Sequence, residues 1–132
     1  MGMYRLQKEE RLSGKKRIEK LFEEGEGFFL PPYRVVMLEE QERTERPVVR
    51  VAVTVPRRVF KRAVKRNLLK RRIKEAYRRN KSLLTDALAG KGTYLDVMFI
   101  YTLPEILSYR EIEEKLVLSL RKILKEYEKG SD

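Results

Sequence analysis

One strongly basic segment limits how this chain can fold more than any other feature of its sequence. Between Arg57 and Lys81 there are 13 Lys or Arg residues and one acid, Glu75, whereas the rest of the chain holds 18 basic and 19 acidic residues. Like charges on one surface repel each other, so these cations must stay outside any core. Solvated helix faces usually mix both signs of charge, and here the acids are missing. The segment therefore favours an acidic partner. Nucleic acid is the first candidate, and a membrane surface or a calmodulin-like protein is the alternative.

The same segment carries one narrow apolar stripe, which predicts a helix from about Lys61 to Asn80. The stripe consists of Leu69, Ile73, Ala76 and Tyr77. A neighbouring arc of the same helix consists of Asn67, Lys70, Arg71, Lys74 and Arg78. Neighbours on one helix face are about 5–6 Å apart, a spacing similar to that of phosphates along a nucleic-acid strand. The amide of Asn67 suits a sugar hydroxyl or a base edge, or it is an ordinary exposed polar group.

Composition removes several classes of function. The chain has no cysteine and no histidine, which excludes disulfides, thiolate nucleophiles, zinc fingers and Ser-His-Asp catalysis. No apolar run approaches the roughly 18 residues of a membrane span, and the polar start MGMYRLQKEER is unlike a signal peptide. The nearest carboxylate cluster, Glu23, Glu24 and Glu26, is typical of a solvated helix end. We therefore expect a cytoplasmic protein with no metal site of its own.

Three apolar segments predict strands. They are Tyr33 to Leu38, Val48 to Val55 and Tyr94 to Tyr101. In the second of them, valines alternate with polar residues such as Arg50, which predicts one buried face. Phe28 to Pro32 is predicted to be a connector because of its two prolines, and Glu39 to Pro47 is predicted to be a charged hairpin loop.

Two further helices are predicted from caps and periodicity. Ser13 is expected to cap a short first helix that Gly25 ends. Ser108 and Glu111 form a capping box at the start of the last helix. The core stripe of that helix is predicted to be Ile112, Leu116, Leu120, Ile123, Leu124 and Tyr127. The resulting fold class is α+β: a small α-β sandwich of order α-β-β-α-β-α, with room for one further short strand and with the basic helix as a crossover.

The stretch VAVTVPRRVFKRAVKRNLLKRRIKEAYRRNK, from Val51 to Lys81, resembles the protein subunit of bacterial ribonuclease P. That family has a valine-rich strand, a basic turn and a helix with the pattern A-V-x-R-N-R-x-K-R-x-x-R-E. The matching residues are Ala63, Val64, Arg66, Asn67, Lys70, Arg71, Lys74 and Glu75. Leu68 stands where the family usually has Arg or Lys. RIEKLFEEGE and LSYREIEEKLVLSLRKIL are similar to the family's first and last helices, so the resemblance covers nearly the whole chain.

The resemblance implies a ribosomal protein S5 domain 2-like fold with a left-handed βαβ crossover, against the usual right-handed rule. It implies one RNA-binding domain over residues 1–132, with a loose basic arm at about 1–12 and a short polar tail at about 129–132. It also implies that the partner RNA subunit is the catalyst, and that Mg²⁺ is held mainly by that RNA and the substrate. The products are then the 5′ leader and the mature 5′ end of a precursor tRNA.

The resemblance also assigns two sets of site residues. The residues expected to bind the RNA subunit are Arg57, Arg58, Lys61, Arg62, Lys65, Arg66, Asn67, Lys70, Arg71, Lys74 and Arg78. The residues expected to line a cleft for the single-stranded leader, between the first helix and the sheet, are Arg17, Phe22, Tyr33, Arg34, Val36 and Arg50. No residue of this chain is assigned to catalysis.

Two other functions fit the composition. A structural RNA-binding protein of ribosomal type would need the basic helix but neither the Arg66-Asn67 and Lys70-Arg71 signature nor a second, aromatic-lined cleft. A DNA-binding module would place the basic helix in the major groove. That helix is predicted to be wedged against a sheet, and the sequence shows no dimerisation element.

Overall fold

The computed structural model describes residues 8–40 and 47–129, with side chains up to residue 127. A 3-10 turn at Lys8–Glu10 precedes the main elements. The strands are β1 (Glu26–Leu30), β2 (Tyr33–Glu40), β3 (Val49–Thr54) and β4 (Tyr94–Tyr101). The helices are α1 (Lys15–Glu24), α2 (Ala63–Asn80), α3 (Ser82–Ala89) and α4 (Tyr109–Lys129).

The strands form one sheet in the order β1-β2-β4-β3. β2 pairs with β1 and β4 in the antiparallel sense, and β3 pairs with β4 in the parallel sense. α2 therefore crosses between two parallel neighbours, as predicted for the basic helix. The left-handed sense of the crossover stays a prediction. The expected hairpin between the first and second predicted strands is wrong, because β4 lies between β2 and β3; residues 41–46 of that connection lie outside the described residues.

The predicted connector at Phe28 to Pro32 is largely strand β1, the further short strand for which the sequence left room. Leu30 and Tyr33 are paired residues, so the two prolines occupy the tight turn between β1 and β2, with a cis bond between Pro31 and Pro32. Proline cannot donate a ladder hydrogen bond, but a turn requires none. The prolines therefore end β1 without preventing it.

The three predicted strands and the last helix are confirmed. In the capping box, the Glu111 N–H donates to Ser108 Oγ at 3.2 Å, and the Ser108 N–H donates to Glu111 Oε1 at 3.3 Å. The predicted stripe of α4 packs into the core, with Leu124 and Tyr127 partly buried. Sequence patterns missed α3, whose buried Leu84 and Leu88 have the spacing of one helix face.

The start of α1 differs from the prediction, and its end agrees with it. Gly14, with φ of 97°, is the N-cap residue, and the Ser13 side chain caps nothing, so the Ser13 prediction is wrong. Gly25 ends the helix and donates its N–H to the Leu21 carbonyl at 2.9 Å. A Cβ at Gly25 would lie 2.8 Å from the Met37 carbonyl oxygen. Glycine therefore permits the end of α1 to lie directly on β2.

The two faces of the sheet are packed very differently. α2, α3 and α4 cover one face, where β2 and β4 contribute Tyr33, Val35 and Phe99 to the large core. α1 covers the other face, hereafter the α1 face, through a small cluster made by Leu12, Leu21, Val36, Met98 and Ile100. This second face leaves the sheet accessible at Phe29 and Arg34, and it is where a second binding surface can lie.

Residues 8–12, predicted as part of a loose arm, lie in an ordered position at the edge of β3. Arg11 forms a parallel bridge with Val51, and the Leu12 N–H donates to the Val51 carbonyl at 2.8 Å. Lys81 at the end of α2 pairs with Glu10, with 2.8 Å between Nζ and Oε2. This N-terminal strap, residues 8–13, therefore runs from the end of α2 past the edge of β3 to the α1 face. Residues 1–7 and 130–132 lie outside the described residues.

Candidate RNA-binding surfaces

Apart from Arg78, the outward arc of α2 presents polar and cationic side chains that have no partner among the described residues. Asn67, Arg71 and Lys74 are exposed and Lys70 is half-buried, whereas Leu69, Ile73, Ala76 and Tyr77 are buried. The arc exists because the apolar stripe of the helix is used against the sheet, so the residues about 60° to 160° around from Ile73 face away from the core. Side chains without internal partners can bind an external anion without breaking an existing contact.

Arg66 differs from the other residues of the predicted signature. It lies seven residues before Ile73, only about 20° away on the helix, so it starts on the buried side. Its Nη1 donates to the carbonyl oxygens of Phe60 and Lys61, at 2.9 and 2.6 Å. Arg66 therefore fastens the basic turn to the first turn of α2.

The basic turn itself is formed by residues 56–62. The Pro56 carbonyl accepts hydrogen bonds from the N–H groups of Val59 and Phe60, and the Phe60 ring is buried against the core. The cations of this region are exposed, and these are Arg57, Arg58, Lys61, Arg62 and Lys65. The anchored Phe60 holds this group next to the start of α2, so turn and helix form one basic surface.

Two further cations of α2 bind within the protein. Arg72 donates to the Leu107 carbonyl at 2.8 Å, which ties α2 to the segment before α4. Arg78 forms a two-point ion pair with Glu75, and this hydrogen bonding raises the pKa of the guanidinium. Arg78, which the resemblance assigned to RNA binding, is thus partly neutralised, unlike Lys70, Arg71 and Lys74.

On the α1 face, one flank of α1 is cationic. Leu21 points to the sheet, and Arg17 and Lys20 lie about 40° and 100° to one side of it. A cavity of about 300 Å³ opens there. It is lined by Lys16, Arg17, Lys20, Glu40 and Asp96. Lys20 reaches Glu40 with 3.4 Å between Nζ and Oε2, so part of this positive charge is neutralised internally.

The floor of this flank contains a buried ion pair. Arg50 Nε and Nη2 donate to the two carboxylate oxygens of Asp96, at 2.9 and 3.0 Å. Arg50 and Asp96 are paired residues of β3 and β4, and both side chains are nearly covered. Arg50, assigned by the resemblance to the leader cleft, therefore belongs to the floor of the α1 face and is already bound to a carboxylate.

The other flank of α1 is aromatic. Ile18 and Phe22 lie about 60° and 100° around from Leu21 on this side. Phe29 of β1 is paired with Arg34 of β2, and both side chains are exposed on the α1 face. Phe22 is 46% exposed and Phe29 62% exposed. The α1 face thus has two accessible rings, Phe22 on α1 and Phe29 on β1, and an exposed guanidinium, Arg34, that has no partner among the described residues. Phe29 was not in the predicted cleft set.

Two residues of the predicted cleft are not accessible. Tyr33 lies on the opposite face, fully buried, with its hydroxyl donating to the Ile112 carbonyl at 2.8 Å. Burial raises the pKa of this phenol, so it stays neutral. The assignment of Tyr33 to the cleft is therefore wrong. Val36 is on the α1 face as predicted, but it is covered by α1 as part of the small cluster.

Acidic side chains are concentrated at one end of the sheet. Where α1, β2 and α4 end and β1 begins, a cavity is lined by Glu24, Glu26, Glu39 and Glu126 beside Tyr127. Burial, and then the carboxylates of Glu39, Glu26 and Glu126, raise the pKa of Tyr127 to about 12. A polyanion is repelled from this end of the sheet and attracted to α2 and the basic turn.

The described residues bring no group of three or more His, Cys, Asp or Glu together at metal-binding distance. None of the helices in residues 8–40 and 47–129 is long and apolar enough to cross a membrane.

A basic crossover helix, with an open aromatic sheet face on the far side, defines a nucleic-acid-binding α+β protein. The family model described as Ribonuclease P matches residues 6–127. The chain is 39% identical over 119 residues to the ribonuclease P protein component of Porphyromonas gingivalis, covering 89% of this chain and 85% of the relative. The chain belongs to the ribonuclease P protein family, as the resemblance of residues 51–81 predicted.

Other relatives agree. The ribonuclease P protein component of Chlorobaculum tepidum is 41% identical over 96 residues, covering 67% of this chain and 61% of the relative. The fold matches the RNase P protein from Thermotoga maritima, with a TM-score of 0.69 and 24% identity over 86% of this chain and 96% of that one. It also matches the Staphylococcus aureus RNase P protein, with a TM-score of 0.67 and 20% identity over 88% and 95% of the two chains. These structures agree with this chain in fold, and membership of the ribonuclease P protein family makes an RNase P RNA its partner.

Proposed function

We propose that this chain binds the RNase P RNA through the outward arc of α2 and the basic turn, and the 5′ leader of precursor tRNA through the aromatic flank of the α1 face. The observation that carries the proposal is the separation of these two surfaces. Unpartnered cations lie on α2, and exposed rings lie on the far side of the sheet. A purely structural RNA-binding protein needs only the first surface.

The chemistry is assigned to the RNA. General acid-base catalysis in proteins relies most often on His, which this chain lacks, and the described carboxylates form no metal-binding group. In this proposal Mg²⁺ is held mainly by the RNA and the substrate, as the family resemblance implies, and the protein acts with them in the cytoplasm. Its own residues bind and orient RNA. Its cations also reduce phosphate repulsion, so less magnesium is needed for folding and cleavage.

The test is 5′-leader cleavage of a precursor tRNA at low magnesium with RNase P RNA alone, protein alone and both together. Cleavage is expected only in the combined sample. RNA binding without rescue of cleavage would favour the structural RNA-binding function. Cleavage by the protein alone would contradict both.

The contribution of α2 is tested separately by a double variant in which both Lys70 and Arg71 are replaced by glutamine. Binding of the RNase P RNA is expected to weaken, and the salt dependence of log K should fall by about 0.7 to 0.9 per lost phosphate contact. Lys125→Gln is the matched control, because Lys125 is an exposed cation on α4 with no partner among the described residues. An unchanged salt slope in the double variant would show that the arc does not contact phosphate.

The leader surface is tested with Phe22→Ala and Phe29→Ala. Stacking of an unpaired base on an exposed ring contributes about 1–3 kcal/mol, so each variant should weaken precursor tRNA binding and leave mature tRNA binding unchanged. Leu118→Ala is the control. Leu118 on α4 is an apolar residue about as exposed as Phe22, at 47%, and it is remote from this flank. Equal losses for precursor and mature tRNA would show that the rings do not bind the leader.

A further inference from the structure

A small groove at the outer edge of β3 belongs to neither surface described above. It is lined by Arg11, Leu12, Ser13, Val51, Ala52, Val53 and Lys74. Its volume, about 220 Å³, is enough for a phosphate group with part of its sugar. The groove lies between the N-terminal strap and α2, so it connects the α2 surface with the α1 face around the edge of the sheet.

The polar side chains of this groove have no hydrogen-bond or ion-pair partner among the described residues. Arg11 is fixed through its backbone bridge to Val51, which leaves its side chain exposed. Ser13 does not cap α1, and among the described residues its hydroxyl has no partner. Lys74 projects from the outward arc of α2 and has no ion pair within the described residues either. Two cations and a hydroxyl therefore line one groove, to which the described residues contribute no anion.

The strand edge adds a backbone donor. The Val51 carbonyl points outward, because it accepts the hydrogen bond from the Leu12 N–H. Backbone polar groups alternate along a strand, so the N–H and C=O of Val53 also point away from β4 and into the groove. The strap turns into α1 at Gly14 and does not continue along the edge beyond this point. An N–H beside two cations and a hydroxyl is a donor set suited to a phosphate oxygen.

We infer that this groove is a binding site for one phosphodiester of RNA, held by Arg11, Ser13, Lys74 and the Val53 N–H. The inference rests on the proposed RNA-binding role of α2 and extends it. Lys74 is the residue at which the arc meets the groove, so a strand bound along α2 continues over the β3 edge toward the α1 face. The phosphate comes either from the RNase P RNA or from the precursor tRNA leader, which share this chemistry.

The test compares Arg11→Gln, Lys74→Gln and the double variant, with Lys125→Gln as a charge-matched control on α4. The salt dependence of binding is measured with RNase P RNA in one arm and with precursor and mature tRNA in the other. Either cation alone still neutralises a shared phosphate. Each single variant should therefore lower the salt slope by clearly less than the value for one phosphate contact. The double variant should lower it by about 0.7 to 0.9, the value for one contact, with only one of the two kinds of RNA. The arm that responds identifies the source of the phosphate.

Three results would overturn the inference. Strictly additive losses, reaching about 1.4 to 1.8 in the double variant, would mean two separate phosphates. A double variant with the slope of Lys125→Gln would mean no phosphate in the groove. The third result comes from a mutant cycle. If Arg11→Gln lowers the salt slope by the same amount with and without Ser13→Ala or Lys74→Gln, Arg11 contacts the RNA elsewhere. If the wild-type protein itself binds without salt dependence, the proposed function fails instead. Circular dichroism of each variant confirms that the fold is kept.

Discussion

The face of the sheet under α2, α3 and α4 contributes to a cluster of 21 buried apolar residues, whereas the α1 face has a cluster of five. The first face contains interlocking rings, such as Tyr33 edge-on to Phe99 at 5.8 Å between centroids. The second contains the Arg50–Asp96 ion pair and two exposed phenylalanines. One face therefore stabilises the fold, and the other remains accessible to a ligand. The basic surface of α2 is built on the stable side, which holds its cations in place.

The largest expected effect is on the free energy of unfolding, which should fall much more when a ring is removed from the large core than from the α1 face. Phe99→Ala removes a fully buried ring from the large core and should lower the free energy of unfolding by about 3–5 kcal/mol. Phe29→Ala removes an equally large ring from the α1 face, where this ring is 62% exposed, and should change the free energy of unfolding by about 0.5 kcal/mol or less. Urea denaturation of both variants measures the difference. Comparable losses would mean that the α1 face also carries the stability of the fold.

The stable face was largely predictable from the sequence, for a physical reason. Its strands and its last helix depend on local alternation and on side chains three and four residues apart, such as Ile112 and Leu116. The position of β4 between β2 and β3 depends on long-range pairing, which no local pattern encodes. The hairpin prediction failed for this reason.

The α1 face was less predictable, because its residues are defined by what they pair with across the sheet. The Arg50–Asp96 pair joins residues 46 positions apart, so neither sequence position alone indicates it. Tyr33 and Phe29 are both aromatic residues near prolines, and only the register of β1 against β2 shows which one is exposed. Composition and family resemblance thus identified the surface but not all of its residues.

The second prediction concerns the ion pair of the α1 face. Asp96 is 3% exposed, and Asp96→Asn leaves the Arg50 charge buried without its counter-charge, so unfolding should become easier by about 3 kcal/mol. Lys20→Met, which breaks the exposed pair with Glu40 on the same face, should cost about 1 kcal/mol or less. Thermal unfolding compares the two. Equal, small losses would show that Arg50 is solvated and available to RNA, contrary to its place in the floor.

The smallest expected effect tests whether α2 positions the basic turn through Arg66. Arg66→Lys keeps the charge but loses the paired hydrogen bonds to the Phe60 and Lys61 carbonyls. RNase P RNA binding should weaken by about fivefold, the equivalent of one hydrogen bond near 1 kcal/mol, because Arg57 and Arg58 are held less firmly.

The salt slope decides between positioning and direct contact for Arg66. A positioning residue leaves the slope unchanged in both Arg66→Lys and Arg66→Gln, since no phosphate contact is lost directly. Arg71→Lys is the matched control, because Arg71 is exposed on the outward arc and its charge is retained. If Arg66→Lys binds like the wild type while Arg66→Gln loses about 0.7 to 0.9 in slope, Arg66 contacts phosphate itself. The guanidinium would then have to leave the turn when RNA binds. In that case the stable side of the molecule, and not only the α1 face, would rearrange to take its ligand.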